Sequence, residues 1–208
     1  MQELTPPQVT DMLRAVAQAV IDKTDVLTDA DLATGDGDHG IGMRRGCEAA
    51  LDALGPDLSI EDAFKKTGMA IMSKTGGAAG AVFGTFFRGG AGVFADSGSL
   101  NAGKFRDFLA QSCAAVSKRG GVEEGAKTMV DAVMPAFRAA AKETGDDLRE
   151  VFAAAEQGAL DGVEASKAMI ATTGKARSLG ERSIGHPDPG AISVSIILGA
   201  MKSYVSGL

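Results

Sequence analysis

Apolar residues recur at spacings of three and four along almost the whole chain, and this periodicity constrains the fold more than any other feature. It is plainest in the first segment, where one helical face carries Val9, Met12, Leu13, Val16 and Val20. Convincing runs in which apolar and polar residues alternate, as they do in half-buried strands, are absent. The pattern predicts an all-α fold of about eight helices in a single domain, residues 1–208.

The same periodicity and the positions of glycine and proline set the expected boundaries. The first helix is expected to fade around residues 23–24 and to lead into an Asp-rich loop, and residues 174–189 are expected to form another loop. Further helices are predicted near residues 40–54, 59–71, 82–87, 101–118, 127–141, 148–171 and 190–202.

Charge and composition exclude several classes of protein. The formal net charge of −6 argues against a nucleic-acid-binding groove, which needs a basic face. A phosphate ligand would therefore need metal ions, helix N-termini or backbone N–H groups. Cys47 and Cys113 form no CxxC pair, the N-terminus does not resemble a signal peptide, and no apolar run is long enough to cross a membrane. We therefore expect a cytoplasmic protein with reduced cysteines, no membrane contact and no direct nucleic-acid contact.

Asp31, Asp36 and Asp38 lie within eight residues, directly before His39. Three carboxylates so close together repel one another unless a cation lies among them, and Mg²⁺ prefers carboxylate and phosphate oxygens. The segment is therefore a candidate metal site, although an exposed loop that binds nothing remains the alternative.

Three nucleotide or metal motifs fit this chain poorly. Residues 35–40 match GxGxxG, but no strand precedes them and their aspartates would repel phosphate. Residues 98–104 resemble a P-loop, but Phe105 stands where a hydroxyl residue must bind Mg²⁺. An EF-hand that begins at Asp36 would have Cys47 in place of its bidentate glutamate.

Two further segments could complete a phosphate site. Residues 76–80 (GGAAG) place small residues at a helix start, where backbone N–H groups can approach an anion, although close helix crossing would explain them equally well. Residues 185–190 contain His186, whose role we expect to be structural, and Asp188, which could simply cap the last helix. The basic residues 175, 177 and 182 could face phosphate or solvent.

Taken in order, TGDGDHG (residues 34–40), GGAAG with FGTFF (76–87), KTM (127–129) and LGERSIGH with DPG (179–190) resemble the nucleotide-binding L subunit family of bacterial dihydroxyacetone kinases. The resemblance covers essentially the whole chain. It implies a closed barrel of eight antiparallel helices, with a nucleotide, ADP or ATP, at one end and two Mg²⁺ ions between the aspartates and the phosphates.

The resemblance also implies a set of site residues. Asp31, Asp36 and Asp38 would bind the metal ions, and no residue would act as a covalent nucleophile. The expected nucleotide contacts are His39, Gly40, Ile41, Gly42, Ala78, Ala79, Gly120, Met129, Lys175, Asp188, Pro189 and Gly190. Arg177 is an alternative to Lys175, and Gly42 and Ala79 replace the Asn and Ser of some family members.

The implied activity is transfer of a phosphoryl group to dihydroxyacetone held on a separate K subunit. A phosphohistidine protein of the phosphotransferase system would recharge the bound nucleotide. An ATP-dependent kinase subunit for another small ketose and a nucleotide-dependent regulator of a transcription factor are the alternatives. The sequence leaves the phosphoryl donor, the acceptor and the oligomeric state open, including a homodimer.

Overall fold

Helices account for most of the computed structural model, which describes all 208 residues. The α-helices are α1 (Pro6–Asp22), α2 (Thr24–Leu32), α3 (His39–Ala53), α4 (Ile60–Lys74), α5 (Gly77–Gly89), α6 (Ala102–Gly120), α7 (Val130–Lys142), α8 (Leu148–Ser166) and α9 (Pro189–Ser206). Two 3₁₀ segments span Ala91–Phe94 and Lys175–Ser183. The helical fold predicted from the periodicity is confirmed, with nine α-helices rather than about eight.

A short pair of strands departs from the prediction that strands are absent. The strand β1 (Glu3–Leu4) pairs antiparallel with β2 (Leu100–Asn101). Two residues are too few to show an alternating pattern in the sequence. The pairing nevertheless places Leu4 opposite Leu100, and both side chains are fully buried.

The helix α2 was missed because it has almost no apolar face. Leu27 is its only buried residue, whereas the connection after α1 had been expected to be an Asp-rich loop. Asp31 therefore lies in the last turn of a helix, and only Asp36 and Asp38 lie in the connection to α3.

Two other predicted boundaries were wrong in the second half of the chain. The helix predicted from residue 127 begins at Val130, because Lys127 adopts a left-handed backbone conformation with φ of 61°. Helix α8 ends at Ser166 rather than near residue 171, and part of the loop expected at 174–189 is the 3₁₀ segment Lys175–Ser183.

Helices that follow one another in the chain pack together from α3 to α9, and α9 also packs against α1. The closed antiparallel barrel implied by the resemblance stays a prediction. A hydrophobic core of 45 buried residues lies between the helices. Phe108 lies at the centre of an aromatic cluster, with ring-centroid distances of 4.6 Å to Phe64 and 5.7 Å to Phe86 of α5. Such contacts fix α5 and therefore its N-terminus.

Two glycines let α3 approach the junction between α4 and α5 closely. A Cβ atom on Gly42 would lie 2.9 Å from the carbonyl oxygen of Thr75, and one on Gly46 would overlap the Oγ1 atom of Thr75. Neither position leaves room for a side chain, so glycine at these positions brings the start of α3 close to the start of α5. None of the helices is both long and apolar enough to span a membrane.

Candidate functional site

The three aspartates predicted to bind metal converge in the structure. One carboxylate oxygen from each of Asp31, Asp36 and Asp38 lies within 4.8 Å of the others. The Asp31 carboxylate also accepts a hydrogen bond of 3.2 Å from the backbone N–H of His39, which ties the end of α2 to the start of α3. Clustered, partly exposed carboxylate oxygens are the donors that a hard divalent cation such as Mg²⁺ prefers, so the residues fit such an ion.

Lys175, which is distant in sequence, places a positive charge against this cluster. Its Nζ atom lies 2.6 Å from both carboxylate oxygens of Asp36 and 2.8 Å from Oδ2 of Asp38. Hydrogen bonding and charge attraction from Lys175 lower the pKa of Asp36, and the same contacts raise the pKa of Lys175. Any cation bound by these carboxylates must therefore share them with Lys175 or displace it.

Two helix N-termini border the same cavity. Helix α3 begins at His39 and α5 begins at Gly77, and neither N-cap residue caps its helix through its own side chain, although the first N–H of α3 already donates to Asp31. Gly76, which precedes α5, has φ of 81°, a conformation that strongly favours glycine. Free N–H groups and the positive end of the helix dipole make such termini suitable for an anion.

The cavity itself has a volume of about 400 Å³, within the range of small-molecule sites. Apolar side chains line part of its wall: Val82, Phe83, Val116, Val122 and Met129. The acidic cluster lines another part through Asp31 and Asp38. With the two helix N-termini, and with a cation on the acidic cluster, the cavity can accept a ligand that has both an apolar surface and an anionic group.

His39 is anchored in the cavity wall. Its Nε2 atom lies 2.8 Å from the hydroxyl oxygen of Ser193 in α9, and its ring packs against Phe83 at 5.9 Å. Burial lowers the pKa of His39, although the nearby charges of Asp31 and Asp38 raise it in part. A neutral imidazole held in this way supports the wall.

The motif at residues 188–190 forms another part of the wall. The Asp188 carboxylate caps α9 by accepting a hydrogen bond of 2.7 Å from the backbone N–H of Ala191. Loss of solvent around this carboxyl group, with the nearby charge of Asp131, raises the pKa of Asp188 to about 7. The capping role considered from the sequence is therefore confirmed, and the same residue also lines the cavity.

Most of the residues predicted for the site meet at the cavity wall, including segments far apart in sequence. The predicted residues that line the cavity are Asp31, Asp38, His39, Gly42, Ala78, Ala79, Gly120, Met129, Lys175, Asp188, Pro189 and Gly190. Asp36 reaches the acidic cluster without lining the cavity. Arg177, the alternative to Lys175, does not line it.

Gly40 and Ile41 lie outside the wall. A Cβ atom on Gly40 would lie 2.7 Å from the backbone nitrogen of Thr28, so this glycine serves the contact between α3 and α2. Ile41 is 49% exposed to solvent.

Two cations in the wall were not predicted. Arg45 lies one helical turn after Gly42, a spacing that could have placed it on the same face of α3. Lys127 had been assigned to a helix, and no signal in the sequence identifies the groups that surround its ammonium.

Residues 33–203 match the DAK2 domain family, and the chain therefore belongs to it. The "PEP-dependent dihydroxyacetone kinase 1, ADP-binding subunit DhaL" of Listeria innocua is 36% identical over 191 residues, which cover 91% of this chain and 91% of that protein. The ADP-binding subunit DhaL of Escherichia coli is 34% identical over 200 residues, which cover 94% and 95% of the two chains. The resemblance inferred from the sequence is thus confirmed.

Two larger proteins contain a similar region. The L-erythrulose 1-kinase of Mycolicibacterium smegmatis is 31% identical over 202 residues, which are 95% of this chain but 35% of that protein. The crystal structure of the native dihydroxyacetone kinase of C. freundii has a TM-score of 0.70 and 24% identity, covering 98% of this chain and 36% of the other. The same kinase in complex with AMP-PNP and Mg²⁺ also has a TM-score of 0.70, with 22% identity, covering 98% and 35%. This chain thus spans about a third of these longer proteins, and the structural likeness establishes the fold.

Proposed function

We propose that this chain is the ADP/ATP-binding subunit of a kinase that transfers a phosphoryl group from Mg²⁺-bound ATP, leaving ADP, to dihydroxyacetone held on a separate K subunit. The observation that carries the proposal is one cavity that joins a carboxylate cluster, two helix N-termini and an apolar wall. Two relatives that match nearly the whole chain are named as ADP-binding subunits of dihydroxyacetone kinases.

In this proposal Asp31, Asp36 and Asp38 hold two Mg²⁺ ions. When bound, these ions would neutralise charge on the phosphates. The convergence of the three carboxylates within 4.8 Å supports the assignment, because an ADP or ATP molecule brings several further negative charges to a chain that is already acidic.

The protein's own contribution would be positioning and electrostatic stabilisation, which dominate phosphoryl transfer. The backbone at Gly42, Ala78 and Ala79 would contact the phosphates, with N–H groups of the first turns of α3 and α5 as donors. Lys175 would move its ammonium group from the aspartates to the phosphates, since its side chain is 55% exposed. Backbone groups of His39, Gly40 and Ile41 would complete this side.

The base of the nucleotide would lie against Gly120 and Met129, whose neighbours in the cavity wall are apolar. Asp188, Pro189 and Gly190 would close the site above it. No side chain needs to become a covalent nucleophile. The imidazole of His39 is already bonded to Ser193, which favours a supporting role for this residue.

Native mass spectrometry tests the central claim. The purified chain mixed with Mg²⁺ and ADP should carry one ADP and two Mg²⁺ ions, and a chain that binds no nucleotide would refute the proposal. Asp36→Ala should abolish Mg²⁺-dependent retention of ADP and leave the helical circular dichroism unchanged. Asp29→Ala is the matched control, because Asp29 is exposed on α2 and lies outside the acidic cluster.

The phosphoryl donor and the acceptor need a second experiment. We propose recharging of bound ADP by a phosphohistidine protein of the phosphotransferase system, as the names of "PEP-dependent" and "PTS-dependent" relatives suggest. ADP that survives dialysis would support recharging in place, whereas rapid exchange would favour free ATP as the donor.

A kinase subunit for another small ketose is the second candidate, favoured by the similarity to the erythrulose kinases. Copurified partner subunits, assayed with dihydroxyacetone and with erythrulose, would distinguish the two. Copurification of a transcription factor instead of a K-type subunit would favour the regulatory alternative.

A further inference from the structure

Lys127 is the only lysine or arginine in the chain that is buried. It lies in the connection between α6 and α7, its side chain is almost completely buried, and its φ of 61° is uncommon for a residue other than glycine. A buried ammonium in a strained backbone position is costly unless its donors are well satisfied.

The Nζ atom of Lys127 donates to backbone carbonyl oxygens from two stretches of chain that are distant from it. The acceptors are Ser166 at 2.8 Å, Met169 at 3.2 Å, Ser183 at 2.7 Å and His186 at 2.6 Å. An ammonium has three N–H donors, so the three short contacts account for them and the longest one shares a donor. One side chain thus joins the C-terminal end of α8, the end of the 3₁₀ segment and the turn before α9.

The segment that these bonds hold has few apolar contacts to fix it. Between Ser166 and Pro189 the only buried apolar residue is Ala171, which lies outside the main hydrophobic cluster. It is otherwise held by hydrogen bonds, from the N–H of Asp188 to the hydroxyl of Ser166 at 3.0 Å and from the N–H of Thr172 to the carbonyl of Ala126 at 3.2 Å, and by the contacts of Lys175 with the aspartates. Loss of the ammonium should therefore loosen this segment and leave the packed helices intact.

The same segment supplies one side of the cavity. It carries Lys175 and Asp188, whereas Met129 lies two residues after Lys127 on the other side. The ammonium group therefore connects Met129, which is expected to meet the base, with Lys175, which is expected to meet the phosphates, and with Asp188, which is expected to close the site.

We propose that Lys127 is a positioning residue, whose ammonium group holds residues 167–188 over the cavity and so sets the places of Lys175 and Asp188 relative to Met129. The inference rests on the proposed function, because it assigns the consequence to nucleotide binding. Lys127 itself contacts carbonyl groups of the chain and would act on the nucleotide through them.

The test uses the full-length chain with Lys127→Met, which keeps the length of the side chain and removes the donors. Lys66→Met is the matched control, because Lys66 is exposed on α4 and does not line the cavity. Isothermal titration calorimetry with Mg²⁺ and ADP should show affinity about 10- to 100-fold weaker in Lys127→Met, the range typical of lost supporting contacts. Lys66→Met should bind as the wild type does.

Hydrogen–deuterium exchange without nucleotide separates positioning from a general loss of structure. Faster exchange in Lys127→Met should be confined to residues 167–188, with the helices of the core still protected. Saturating Mg²⁺ and ADP should restore part of this protection. Wild-type affinity, or faster exchange spread over the core helices, would overturn the inference.

Lys127→Arg serves if the methionine variant does not fold. It keeps the charge, but its planar guanidinium cannot direct its donors to four carbonyl groups that surround one point. Weaker Mg²⁺–ADP binding with local exchange supports the inference, and wild-type behaviour refutes it. If the wild-type chain binds no Mg²⁺–ADP, the proposed function fails, whereas the exchange pattern still decides whether Lys127 holds the segment.

Discussion

Replacing Asp188 with Asn should change how the stability of the chain depends on pH. The free energy of unfolding of the variant, compared with that of the wild type, should increase as the pH rises from 5 to 7. The Asp188 carboxylate caps α9 through the N–H of Ala191, and an asparagine side chain can keep this hydrogen bond. The substitution therefore removes the titrating group and preserves the cap.

The expected magnitude follows from the raised pKa. Desolvation raises the pKa of Asp188 from 3.8 to about 7, so the folded chain binds this proton more tightly than the unfolded chain does. The associated stability is fully present below pH 3.8 and is lost as the pH rises towards 7. At about 1.4 kcal/mol per pH unit, the wild type should lose about 2 kcal/mol relative to the Asn variant between about pH 5 and pH 7.

Urea unfolding of both chains at several pH values, in EDTA and without nucleotide, measures this difference. Asp147→Asn is the matched control, because Asp147 also caps a helix, accepting a hydrogen bond of 2.9 Å from Arg149, but its pKa is lowered by that contact and by the N-terminal amine. Its effect on stability should not change between pH 5 and pH 7, since both its folded and its unfolded pKa lie below this window. A stability difference for Asp188→Asn that is equally constant would refute the reasoning.

Two other substitutions and one chemical probe test the site and the core. Lys175→Met removes an ammonium group that competes with cations for the aspartates. Electron paramagnetic resonance should therefore show that Mn²⁺ alone binds the variant about 3- to 10-fold more tightly than the wild type. Weaker binding would contradict this competition. Gly162→Ala would place a Cβ atom 2.8 Å from a Cα atom of α7 and should cost about 1–3 kcal/mol in urea unfolding, whereas Gly55→Ala meets no atom within 4 Å and should cost far less. Burial raises the pKa of Cys47 and of Cys113 to about 12, so both thiols should resist Ellman's reagent at pH 8 until the chain is unfolded, and rapid reaction of the folded chain would contradict their burial.

Long amphipathic helices were predictable because their periodicity is local. Helix α1 shows this, since its buried residues Val9, Met12, Leu13 and Val16 recur at helical spacing. Helix α2 was missed for the opposite reason: with Leu27 as its only buried residue, it presents no apolar face for a pattern to reveal. The pairing of β1 with β2 was missed because strands of two residues carry no alternation.

The acidic cluster was also predictable, because Asp31, Asp36 and Asp38 are close in the chain and repel one another wherever they lie. The resemblance added residues from distant segments, and most of these line the same cavity. The contact between Lys175 and Asp36, which are 139 residues apart, depends on the packing of the helices.

The sequence by itself therefore determined the helical class, the acidic segment and the family. The tertiary structure alone decided what surrounds each charge. The four carbonyl acceptors of Lys127 lie 39 to 59 residues further along the chain. The raised pKa of Asp188 likewise comes from loss of solvent and from the nearby Asp131. Burial of a charged group and its hydrogen bonds to distant backbone groups arise only after distant segments have packed together. A local sequence pattern therefore cannot predict them.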